Sequence, residues 1–172
     1  QKLINFLKTM RGVNPSDNEW VELGRAAKSI RDYIMDFCII SCNRFGKSSS
    51  MYKSFKTLES DFLKVRSKLD DFVSGAYSMN IHEISGCSIT NIFFGENLHL
   101  SPVVYSYKRG EMPKSFDETQ ERDLFMLLKN IDLFLTSLNK HDYIVSRFKE
   151  KEAKGRLTRF KKSVEKLQQK IK

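Results

Sequence analysis

Apolar side chains recur at steps of three and four residues in five separate stretches of this chain, a spacing that predicts helices with one greasy face each. The cleanest stretch runs Phe55, Leu58, Phe62, Val65, Leu69 and Phe72, with Lys53, Lys56, Glu59, Lys64, Arg66 and Lys68 interleaved on the polar side. Upstream, Leu3, Ile4, Phe6, Leu7 and Met10 form a short stripe that Gly12 and Asn14-Pro15 bring to an end. Ser16 followed three residues later by Glu19 is a capping-box pattern. It predicts a second helix through Trp20, Leu23, Ala27, Ile30, Ile34 and Phe37 to about Cys42, with Gly46 as its terminal glycine and Ser48-Ser49-Ser50 as the following turn. A fourth helix follows Ser115 and Asp117. Its residues Leu124, Leu127, Leu128, Ile131, Phe134, Leu135 and Leu138 make a wide apolar face suited to a central position. After a weak piece around Ile144 and Phe148 the stripe lapses at Lys151 and Gly155, then restarts as Leu157, Phe160, Val164, Leu167 and Ile171.

Between the third and fourth helices the pattern changes. Residues 84–107 carry a single charged side chain, Glu96, and are rich in β-branched and aromatic types. Ile89 to Phe94, then Gly95-Glu96-Asn97, then Leu98 to Leu100 read as a hairpin with a three-residue turn, with Pro102 confining the second strand to an edge. Such a hairpin is marginal alone in water, so it must lean on the bundle or on a partner, the remaining alternative being an irregular loop. The expected fold is therefore mainly α: an antiparallel helical bundle with a β-hairpin-like insertion between the third and fourth long helices and an extended basic C-terminal helix. Residues 1–152 form the bundle domain, with the insertion at about 79–114, and residues 153–172 form a separate amphipathic tail.

Charge sharpens the view of that tail. Residues 140–172 hold twelve Lys or Arg against four Asp or Glu, which is +8 of the total +9. The basic side chains Lys154, Arg156, Arg159, Lys161, Lys162, Lys166 and Lys170 surround the stripe and are the expected anion-binding set. Leu157, Phe160, Val164, Leu167 and Ile171 are the expected seam for a partner helix, in the same body or in a second copy. An amphipathic basic helix is also suited to an anionic membrane surface, although one large aromatic makes a weak anchor.

Composition narrows the class further. Thirteen Phe among 172 residues make the core aromatic-heavy, and no apolar run approaches the ~20 residues of a membrane span. Three cysteines without a spaced framework, and an Asn14-Pro15-Ser16 sequon blocked by its proline, favour a reduced intracellular setting, cytoplasmic or nuclear. A chain that opens on Gln1 is expected to be an excised fragment or a processed form.

Candidate chemistry is sparse. Ser41-Cys42-Asn43-Arg44-Phe45-Gly46-Lys47-Ser48 matches the phosphate-loop pattern except that serine replaces its first glycine. Asn139-Lys140-His141-Asp142 has the N-K-x-D form of guanine-recognition loops, so the pair resembles a degraded small-GTPase pattern. The flanking stretches are helical, however, and no Asp-x-x-Gly lies between the two to hold a metal. Cys38 and Cys42 share a helix face but lack zinc-module spacing, and with histidines only at 82, 99 and 141 no nucleophile and base can be paired from sequence. No catalysis, cofactor, metal or small-molecule substrate is expected. The leading expectation is a protein-interaction scaffold that docks partners on Ile92, Phe93, Phe94, Leu98, Leu100, Val103, Val104 and Tyr105 and pairs its tail with a partner helix or another copy. The competing one is nucleic-acid or anionic-surface binding through the tail.

Overall fold

The computed structural model describes residues 14–95 and 115–171. The predicted stripe at residues 3–10 lies outside them. Helix α1 (Asp17–Phe45) starts where the capping box places it: the Glu19 N–H donates to Ser16 Oγ at 3.2 Å, and the Ser16 N–H donates to the Glu19 carboxylate at 3.3 Å. It stops at Gly46, whose φ of 85° a side chain would resist. Helix α2 (Ser50–Ala76) is capped by Ser49, and α3 (Glu118–Asn139) opens on a second capping box formed by Asp117 and Gln120. A short α4 (Asp142–Arg147) leads to α5 (Lys151–Ile171).

Antiparallel neighbours build the bundle. Arg44 Nε donates to the Ser115 carbonyl at 2.9 Å beside the start of α3, and His141 stands 3.2 Å from Glu19 at its far end, so α1 and α3 run in opposite directions. Helices α2 and α5 oppose each other too: Lys68 meets Glu152 at one end, and Lys170 Nζ donates to the Ser50 carbonyl at the other. Aromatic rings meet one another through the largely aliphatic core between them. Phe37 stacks on Phe55 with ring centroids 5.3 Å apart, Phe62 packs on both Phe134 and Phe160, and Phe116 sets its edge against Phe37, Phe45 and Phe55.

The fold is thus a helical bundle with a small antiparallel hairpin between α2 and α3, as the pattern predicts, but the hairpin sits elsewhere. Strands β1 (Glu83–Ile84) and β2 (Cys87–Ser88) pair around Ser85 and Gly86, both at positive φ. Residues 89–94, predicted to be a strand, form a 3-10 turn (Ile89–Asn91) and then a strap that buries Ile92 and Phe93. The physical reason is close approach. On α1, Gly24 lets the strap lie directly on the helix backbone; a Cβ there would stand 2.0 Å from the Ile92 carbonyl oxygen. A run that alternation assigns to a ladder is used instead to fill the space over α1 and α2.

The second difference concerns the tail. Helix α5 continues unbroken through Gly155, and Ala153, Phe160, Val164 and Leu167 belong to the same buried cluster as the other helices. Residues 153–171 are therefore a wall of the bundle and not a separate extension. The chain changes direction at Phe148 to Glu150, before the lysine-rich stretch.

Candidate functional site

The helices decide which predicted contact residues remain available. Ile92 and Phe93 are buried, Phe93 completely, and Phe94 is half-buried with its ring 4.5 Å from the Arg66 guanidinium carbon. These three serve the core, which corrects the expectation that they form an open docking face. Leu98, Leu100, Val103, Val104 and Tyr105 lie outside the described residues. The tail seam is occupied as well: Phe160, Val164 and Leu167 are buried, Leu157 packs against the cluster, and only Ile171 at the end is exposed. The partner of the seam is α2 of the same chain, with Phe160 and Phe62 centroids 5.3 Å apart. Pairing within one chain closes only a loop, whereas pairing with another molecule must also overcome the loss of its free motion.

Docking the seam inward leaves the cations outside. Along the α2–α5 junction run two adjoining hollows of about 410 and 590 Å³, and Arg159 lines both. Of the predicted anion-binding set, Arg159, Lys162, Lys166, Lys170 and Arg156 line this groove, while Lys154 and Lys161 are exposed but lie outside its walls. The opposite wall adds Lys53 and Lys64, which a tail-centred reading of the sequence misses. They stand eleven residues apart, three full turns, so both project from one side of α2. That periodicity was the available signal.

Electrostatically the groove is under-neutralised. Among the described residues, the side chains of Lys53, Lys64, Lys151, Arg159, Lys162 and Lys166 have no hydrogen-bond or ion-pair partner. Two acids line it. Asp61 accepts the Ser163 hydroxyl, and Glu152 takes Lys68 at 3.3 Å and Arg156 at 2.6 Å; these hydrogen bonds and charges hold the Glu152 carboxyl below its usual range. The hydroxyls of Ser54 and Thr57 donate to the carbonyls of Ser50 and Lys53 at 2.8 and 2.9 Å. What the groove offers an incoming group is therefore cationic donors.

The other sequence motifs stay apart. Ser41 to Phe45 are the last turn of α1, Gly46 is its cap, and Lys47 is exposed; Asn139 to Asp142 link α3 to α4. The 29 residues of α1 place the two motifs at opposite ends of the bundle, roughly 40 Å apart. Burial, and then the charge of Glu59, push the Cys38 thiol up to about 12, so it stays protonated and unreactive at neutral pH. No three His, Cys, Asp or Glu side chains among the described residues gather as metal ligands, and no described helix is long and apolar enough to cross a membrane.

On the far side of the bundle, α1 and α3 enclose a hollow of about 490 Å³ floored by Leu23, Ile30, Leu133 and Phe134. Leu133, which lines this hollow, is itself exposed and shares one side of α3 with the exposed Met126 and with Phe125, 66% exposed. No protein-family model, curated protein or solved structure matches this chain.

Proposed function

We propose that the protein is a non-enzymatic binding module for a polyanion, held in the groove between α2 and α5. The observation that carries this reading is the row of cations without partners on both walls of one concave surface. A surface helix ordinarily intersperses its lysines with acids three or four residues away; here Lys162, Lys166 and Lys53 have none bound to them. Concentrated positive charge in a cleft attracts a multiply charged ligand more strongly than the same charges spread over a convex face. The expected test is retention on immobilised heparin, a generic polyanion. Lys162→Gln combined with Lys166→Gln should elute at clearly lower salt than the parent protein, with an unchanged melting curve, since both side chains are exposed. Equal elution would remove the reading.

A second reading keeps the protein-interaction idea and moves it. Phe125, Met126 and Leu133 form an exposed apolar strip on α3, well away from the cationic groove, and a second copy of this chain would cover it. Light scattering across a hundredfold concentration range would show the mass rising toward a dimer, and Phe125→Ser with Leu133→Ser would hold it at one chain. A mass constant at one chain throughout would discard this reading.

A further inference from the structure

The α2–α5 groove has a length, a lining and a charge spacing that narrow its ligand beyond polyanions in general. From Lys151 to Lys170 the basic wall of α5 extends about 28 Å. That span is far more than one phosphate group needs. Along it Arg159, Lys162, Lys166 and Lys170 follow one another at intervals of three or four residues, or about 4.5–6 Å of rise. Lys53 and Lys64 face them from α2. A regular ladder of cations on two walls suits a regular chain of single charges.

The lining then separates the chemical classes. None of the described residues lining either hollow is a large apolar one. A helix lying on a lipid surface needs an apolar face to insert, and α5 has turned its own into the bundle core. None is aromatic either, so bases have no platform on which to stack and base identity has no reader. Of the hydroxyls in the described lining, those of Ser54 and Thr57 already donate to the Ser50 and Lys53 carbonyls and that of Ser163 to Asp61, which leaves Ser50 alone, too little to read a sequence of base edges. A repeating phosphodiester, which presents one charge per unit and needs neither an apolar nor a stacking contact to bind, suits this lining.

Resting on the polyanion reading above, we infer that the groove binds a nucleic-acid strand through its phosphates alone, without sequence preference, along the line from Lys170 to Lys151. Among the described residues six cations without partners lie along that line, and each phosphate they neutralise releases counterion. Binding should therefore weaken by about a thousandfold between roughly 50 and 200 mM salt.

The experiment is fluorescence anisotropy on the full chain with labelled DNA of mixed sequence, duplex and single-stranded, repeated across salt concentrations. Inorganic polyphosphate and vesicles containing anionic phospholipid serve as competitors. Two variants with equal charge loss are compared: Lys53→Gln with Lys64→Gln on the far wall of the groove, and Lys154→Gln with Lys161→Gln outside it. The groove pair should flatten the salt dependence by about two units and cost roughly tenfold or more in affinity at 100 mM salt, while the outside pair changes it less than about threefold. Equal losses from the two pairs would overturn the groove as the binding line. Polyphosphate bound tightly with DNA ignored would overturn the nucleic-acid assignment and leave the polyanion reading standing; failure of both would take down the two together. Vesicles that displace DNA more effectively than polyphosphate does, at equal charge, would transfer the site to a membrane surface and reject the strand. All four lysines are exposed, and glutamine is a good helix former, so unchanged helical content and melting temperature are expected of both variants.

Discussion

Replacing Phe160 by alanine is expected to destabilise the whole protein by about 3–5 kcal/mol, the range for truncating a fully buried aromatic side chain. Phe160 has no exposed surface, and its ring packs against Phe62, which in turn meets Phe134, so the substitution opens a cavity where α2, α3 and α5 converge. Cavity cost adds to lost transfer energy because neighbouring rings on rigid helices relax only partly. Urea unfolding followed by far-ultraviolet circular dichroism should show one transition with a lower midpoint. The contrast is with a tail that merely hangs from the body: there the same change would leave the midpoint of the core where it was, and that outcome would contradict the docking of α5.

The second large effect is expected at Arg66. Only 1% exposed, this side chain lies under the strap, and its Nε and Nη2 both donate to the Phe93 carbonyl while Phe94 covers the guanidinium face. Burial and then the charge of Arg31 bring its pKa down to about 10, which still leaves it protonated at neutral pH. Arg66→Ala should cost about 3 kcal/mol, combining an unsatisfied buried carbonyl with lost packing around the side-chain stem. Arg66→Met fills most of the volume and should recover only the packing share. Limited chymotrypsin digestion gives an independent readout, since a released strap exposes the bonds after Phe93 and Phe94. If Arg66→Ala melted like the parent and resisted cleavage equally, the strap would owe its place to something else.

Both effects fall on residues whose role the linear pattern describes incompletely. Arg66 sits in the sequence among the polar positions of a stripe, between Val65 and Leu69, and would ordinarily point to water. It is buried because a segment 27 residues away arrives with a carbonyl that needs a donor. Periodicity along one helix carries no information about such an arrival. In the same way Phe93 looked like surface because its neighbours lack charge, yet a run without charge is equally what a core filler requires. The hairpin moved for a related reason: Ser85-Gly86 accommodates the positive φ of a tight turn, while Ile89 to Phe94 gain more by burying against Gly24 and Arg66 than by pairing as an edge strand.

What the chain determines by itself is local. Ser16 with Glu19 starts α1, Gly46 ends it, Asp117 caps α3, and the three-four spacing of Phe55 to Phe72 makes α2 a helix with one apolar face, because caps and stripes act within a few residues of themselves. The tertiary structure decided which faces meet. It turned the seam of α5 onto α2, so that Phe160 became core and Lys162 and Lys166 came to stand opposite Lys53 across one groove, a juxtaposition spanning more than a hundred residues. Helix capping is settled by a handful of neighbouring dihedrals, whereas the choice of partner for an apolar face depends on the shape and burial of every other face in the molecule.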